Sequence, residues 1–168
     1  MSGLKFDKRE LGNLEYSLDR EVLSTDRRGG YMSTTIVGCN TRKYHGLMVA
    51  PIDQSDRTYV LLSSLDETVV QHDQSFNLAL HRFEGVYEPR GHKYITDFEY
   101  TPVPTITYRV GGVILKKELL WVHNRTQLMI RYTLVDAHSE TTLRLRPLLA
   151  FRDKHALSKA NMEADGRA

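Results

Sequence analysis

Apolar side chains recur at every second position through most of this chain, and no other feature restricts its fold as much. Phe76, Leu78 and Leu80 alternate with Asn77, Ala79 and His81, and Ile106, Tyr108 and Val110 alternate with threonine and arginine. Leu128, Ile130, Tyr132 and Leu134 repeat the pattern, as do Leu143 and Leu145 and, past Pro147, Leu149 and Phe151. A period of two turns one face to a core and the other to water, which is the mark of antiparallel strands. Turn signals separate the runs. Gly111-Gly112 accepts the positive φ angles of a tight hairpin between 105–110 and 113–121. His72-Asp73-Gln74 reads as a second hairpin, Glu88-Pro89-Arg90-Gly91 as a turn, and Asp136-Ala137-His138-Ser139 as a polar break. Pro102 and Pro104 bracket Val103, so that stretch is a loop or a strand entry. No long helical pattern is present; residues 154 to 164 read as a short helix or a frayed tail. About eight to ten short strands with frequent turns predict an all-β, antiparallel β-sandwich.

The length of 168 residues suits one domain, with its core over about 15–157 and a tail over 158–168. A composition 40% hydrophobic and 26% charged supplies enough apolar material for a core. Twenty-three basic and 21 acidic residues leave a net charge of +2, which gives no electrostatic case for nucleic acid or a membrane surface. The single cysteine, Cys39, forbids an intrachain disulfide. With no apolar leader at the N-terminus, the cytoplasm is the expected compartment. The seven histidines show no metal-motif spacing, so neither metal nor cofactor is expected.

Several segments carry candidate chemistry. Gly38 to Ala50 is a dense polar block running into an apolar strand, and it holds Asn40, Arg42, Lys43, Tyr44 and His45. Donors beside an aromatic face suit a sugar, whose hydroxyls need partners and whose C–H face needs cover. A polar loop tying down its own backbone accounts for the composition equally well. Asp66 and Glu67 invite the idea of a glycosidase pair, but neighbours on a strand point to opposite faces. Such carboxylates must converge on one bond from roughly 5 to 9.5 Å apart. A salt bridge is the default role, and Arg42 is one candidate partner. The stretch from Phe83 to Tyr94 is aromatic and charged, and Arg90 and His92 are its side chains of most interest. Trp121 ends an alternating strand, where core or edge packing is expected.

Taken in order, these blocks resemble one family. They are Gly29-Gly30-Tyr31 with Ser33, then Asn40-Thr41-Arg42-Lys43-Tyr44-His45-Gly46-Leu47 and Leu65-Asp66-Glu67-Thr68. Pro89 and Gly91 follow with Tyr94 and Phe98, and then Leu145-Arg146-Pro147-Leu148 with Arg152-Asp153 and His155. The sequence over about residues 15 to 157 is similar to the N-terminal domain of bacterial and archaeal glycogen-debranching enzymes (amylo-α-1,6-glucosidases). The resemblance implies a β super-sandwich of the galactose-mutarotase-like kind, whole or incomplete in this chain, preceding an (α/α)6 catalytic barrel that carries the hydrolytic acid and base. It implies a non-catalytic domain that packs on that barrel and helps shape a groove for α-glucan. One departure is Asp26-Arg27-Arg28, where the family often has a glycine in an Asn-Gly-Leu-Gly-Gly-like run.

Two other functions follow from the same residues. One is an independent carbohydrate-binding module. The other is a mutarotase-like epimerase, with His45 or His92 as acid and Asp66 or Glu67 as base. An unpaired edge strand would also invite a homodimer.

Overall fold

The computed structural model describes residues 3–52 and 57–158. Its strands, in chain order, are β1 (Lys5–Asp7), β2 (Glu21–Thr25), β3 (Tyr31–Thr35), β4 (Gly46–Pro51), β5 (Thr58–Gln71), β6 (Gln74–Asn77) and β7 (Leu80–Phe83). They continue as β8 (Val86–Arg90), β9 (Ile95–Glu99), β10 (Thr105–Val110), β11 (Val113–Trp121), β12 (Leu128–Asp136) and β13 (Thr142–Asp153). One sheet has the order β1-β9-β10-β11-β12, and the second has β13-β5-β4-β3-β2. All pairings are antiparallel, so the sandwich read from the alternation is what forms. Phe98, Ile106, Tyr108, Val113, Leu115 and Leu119 of the first sheet pack against Val22, Met32, Leu47 and Val69 of the second in one apolar cluster.

The turns follow the local chemistry. Gly111 and Gly112 have φ of +57° and +79°, and they close the hairpin in which Val110 faces Val113. His72 and Asp73 also take positive φ and join β5 to β6, where Gln71 faces Gln74. The expected turn at Glu88 to Gly91 is a correction. Pro89 lies within β8, at a register shift opposite Leu80 and His81, where its missing N–H costs no ladder bond. The chain turns one step later, in a 3₁₀ segment over Gly91–Tyr94.

Two five-residue helices, α1 (Lys8–Gly12) and α2 (Leu14–Leu18), were not apparent from periodicity, because each is too short to show an apolar stripe. Their caps were present in the sequence. Asp7 accepts from the N–H groups of Arg9 and Glu10 while Glu10 accepts from that of Asp7, and Asn13 accepts from Tyr16. Of the stretch read as helix or tail, residues 154–158 form a turn and then irregular backbone, and the rest lies outside the described residues.

β5 is the hub of its sheet. β13 runs along one side from Tyr59 to Val70, while β4 and then β6 share the other side. At the far side of the fold, β12 and β13 are the outermost strands of their sheets. Met129, Leu134, Val135, Leu145, Leu149 and Phe151 are exposed along them. The alternation in β13 therefore does not bury its apolar residues, and Leu149 and Phe151 are 79% and 74% exposed. No neighbouring element among the described residues covers that face. No helix among the described residues is long and apolar enough to cross a membrane.

Gly91 is where backbone meets backbone: a Cβ there would overlap the Leu78 carbonyl group. Gly91→Ala is expected to cost about 1–3 kcal/mol or more in urea unfolding. Gly12→Ala, where a Cβ meets nothing within 4 Å, is expected to be close to neutral. Equal stability of the two variants would contradict the close approach.

Candidate functional site

The polar block between β3 and β4 divides into side chains that build the loop and side chains that face outward. The Asn40 amide donates to the Ser63 carbonyl at 2.8 Å and accepts from the Thr34 hydroxyl at 3.0 Å. The Thr35 hydroxyl bridges the carbonyl and N–H of Cys39 at 2.9 and 3.0 Å. His45 is buried, and its Nδ1 accepts the Thr41 N–H at 3.0 Å. That bond fixes the tautomer: Nδ1 carries no proton, and Nε2 lies 3.3 Å from the Glu21 carboxylate. Burial lowers the His45 pKa, and Glu21 opposes the shift. Asn40 and His45 are thus structural, as the backbone-tying reading supposes. Arg42, Lys43 and Tyr44 are exposed. Arg42 Nε pairs with Glu21 at 2.5 Å, so Glu21, and not Asp66, is its partner. The Lys43 carbonyl accepts from Arg152 at 2.7 Å, the Tyr44 carbonyl accepts from the Tyr31 hydroxyl at 3.0 Å, and the Tyr44 ring meets His155 edge-on.

Asp66 and Glu67 sit on opposite faces of β5, as strand geometry requires. Glu67 points between the sheets, where its carboxylate receives Lys117 Nζ of β11 and, at 2.5 Å, the Tyr132 hydroxyl of β12. Burial first, and then Glu67, holds both Tyr132 and Tyr108 well above the usual phenol range, so Tyr132 keeps the proton it donates. Asp66 takes His81 Nε2 at 2.8 Å and Arg146 at 2.9 Å. A cavity of about 30 Å³ touches both residues; it has room for a water and none for a sugar ring. Both carboxylates are already occupied by cations, and they do not act together across an open groove.

The other candidates lie apart. Arg90 is on β8, and His92 is buried in the 3₁₀ segment, its pKa lowered by burial and by Arg90 and Lys93. Trp121 is buried in the core. Cys39 is also buried, which pushes its thiol up to about 11 and leaves it unreactive. Among the described residues, no group of three His, Cys, Asp or Glu side chains is placed to hold a metal.

Two open clefts adjoin the outward part of the polar block. One, of about 430 Å³, runs between α2 and the loop; the other, of about 440 Å³, is bounded by the loop, β7 and the end of β13. They share Thr41, Arg42 and Arg82. Phe83 and Arg152 stand in blocks singled out in the sequence and Arg82 in none, and only the fold brings the three to Arg42 and Lys43. Lys117 carried a readable signal, because it occupies the apolar phase of Val113, Leu115, Leu119 and Trp121.

A family model described as glycogen debranching enzyme N terminal matches residues 20–168. No curated protein and no solved structure matches the chain.

Lys117→Met strands the Glu67 carboxylate in the interior and is expected to destabilise the fold by about 3–5 kcal/mol. Adding Glu67→Gln is expected to recover most of that loss in urea unfolding; additive losses would show that the two groups act separately. The lowered pKa values of His45 and His92 also fix a pH dependence. Both rings are neutral in the fold, so their contribution is complete above about pH 6.5 and fades as pH falls through the lowered values. His45→Gln is expected to flatten the loss of stability between pH 7 and 5; an unchanged slope would remove His45 from this role.

Proposed function

The chain belongs to the glycogen debranching enzyme N-terminal family, and from that membership we propose that it is the non-catalytic domain of an α-1,6-glucosidase. In this reading it packs against a larger (α/α)6 catalytic domain of the same protein and helps shape the groove for α-glucan. The observation that carries it is the pair of outermost strands. β12 and β13 leave six large apolar side chains exposed, and an uncovered hydrophobic edge is a place where more chain pairs. Asp66 and Glu67, each engaged by cations on its own face of β5, fit a domain that leaves hydrolysis to its partner. Arg42 and Lys43, exposed at the open clefts, with Tyr44 next to them in the loop, are the residues through which it would meet glycan or barrel.

A second reading, an independent glucan-binding module, draws on the Phe83 ring exposed in one of those clefts and on the exposed Tyr44 ring of the adjoining loop. The mutarotase-like reading draws little support. The His45 side chain is 1% exposed and already bonded, and Asp66 and Glu67 are consumed by cations.

Hydrogen exchange separates these possibilities. In the full enzyme, amides along the outer edges of β12 and β13 are expected to be protected about 100-fold or more over the isolated 168-residue chain, since exchange there reports local opening. Equal exchange in both would refute packing through these edges. Protection in the isolated chain that grows with concentration would instead mean self-pairing between copies.

A further inference from the structure

We infer that the cleft between the 40–43 loop, β7 and the end of β13 binds a phosphate-bearing sugar. Four cations, Arg42, Lys43, Arg82 and Arg152, line it against a single carboxylate, Glu84. Arg42 is compensated by Glu21. The other three have no carboxylate within ion-pair distance among the described residues. Elsewhere the fold pairs cations with acids where they meet, as in Lys5–Glu99, Arg131–Glu118, Arg146–Asp66 and Lys117–Glu67. An uncompensated group of one sign in a concave site concentrates counter-ions.

The geometry favours a phosphate ester over a simple halide-like ion. Arg152 is held in place by two neutral carbonyls, those of Ala156 at 2.9 Å and Lys43 at 2.7 Å, so its charge stays available while its position is fixed. The Arg82 side chain has no hydrogen bond to another side chain or carbonyl, so its planar fork is free to take two phosphate oxygens. A dianionic monoester matches three unpaired cations better than one carboxylate does. Phe83, 59% exposed in the same cleft, offers an apolar ring for the C–H face of a sugar, and Thr41 lies beside it. This goes beyond the proposed reading, whose α-glucan is uncharged, by giving the cleft an anionic ligand of its own. It does not depend on the edge strands, whose test reads amide protection and not ligand binding.

Titration calorimetry of the full chain with glucose 1-phosphate, inorganic phosphate and glucose tests it. Glucose 1-phosphate is expected to bind, more tightly than phosphate alone, with glucose silent and with affinity falling as salt rises. Arg82→Gln, which breaks no side-chain hydrogen bond or ion pair of the fold, is expected to weaken binding about tenfold or more, as loss of a charged hydrogen bond does. Phe83→Ala is expected to erase the advantage of the sugar ester over phosphate. No binding of the ester, or binding unchanged by Arg82→Gln, overturns the site. Equal affinity for ester and free phosphate overturns its sugar specificity, and binding of an acidic peptide in place of the ester would reassign the cleft to a protein partner.

Discussion

The Glu67 carboxylate, lying between the sheets, ties the fold together across its least covered side. It comes from β5, the hub of one sheet, and receives Lys117 and Tyr132 from two adjacent strands of the other. Most of the interior is apolar and would tolerate sliding of one sheet on the other, because the hydrophobic effect has no direction. A buried ion pair with a phenol donor does have direction. It contributes little net stability over an apolar substitute, but any slip that separates the groups leaves a charge without a partner. Register between the sheets is therefore held at a point near β12 and β13, where packing alone is thin.

The same logic separates the two carboxylates that sit side by side in the sequence. Strand geometry sends Glu67 inward and Asp66 outward, and each face then supplies its own cations. Chemistry that needs two acids on one bond has nowhere to form on such a strand. The neighbouring polar block has a similar division. Its inward members, half-buried Asn40 and buried His45, hold a loop whose exposed members, Arg42, Lys43 and Tyr44, are thereby presented on a fixed backbone. A loop braced in this way keeps exposed side chains positioned at lower entropic cost than a free one.

Much of the architecture was legible in the sequence. Ile106, Tyr108 and Val110 are buried as their alternation requires, and the Gly111-Gly112 hairpin forms where two glycines allow it. The opposed faces of Asp66 and Glu67 followed from geometry alone. Other features were hidden for physical reasons. The two helices are shorter than the repeat that would reveal them, and only their caps were visible. Pro89 looked like a turn because a bulge in a ribbon cannot be told from a turn by composition. Arg42 was a candidate partner for Asp66 or Glu67, when Glu21, 21 residues earlier in the chain, is the carboxylate it pairs with. The cationic cleft was unreadable because Arg82 and Arg152 meet Lys43 only through β7 and β13. The alternation in β13 was read correctly as a strand, yet its apolar side awaits a surface that its own neighbours do not provide.

The central place of β5 has a consequence for how the protein is made. Its long partner β13 is translated well after it, since Thr142 pairs with Val70 and Asp153 with Tyr59. Ribosomes add roughly 5–20 residues each second, so one flank of the nascent β5 stays bare for on the order of ten seconds. For the earlier part of that interval Glu67 also awaits Lys117 and Tyr132. A chaperone that shields the emerging 58–71 stretch would have a defined window in which to act, and it would close when β13 leaves the exit tunnel.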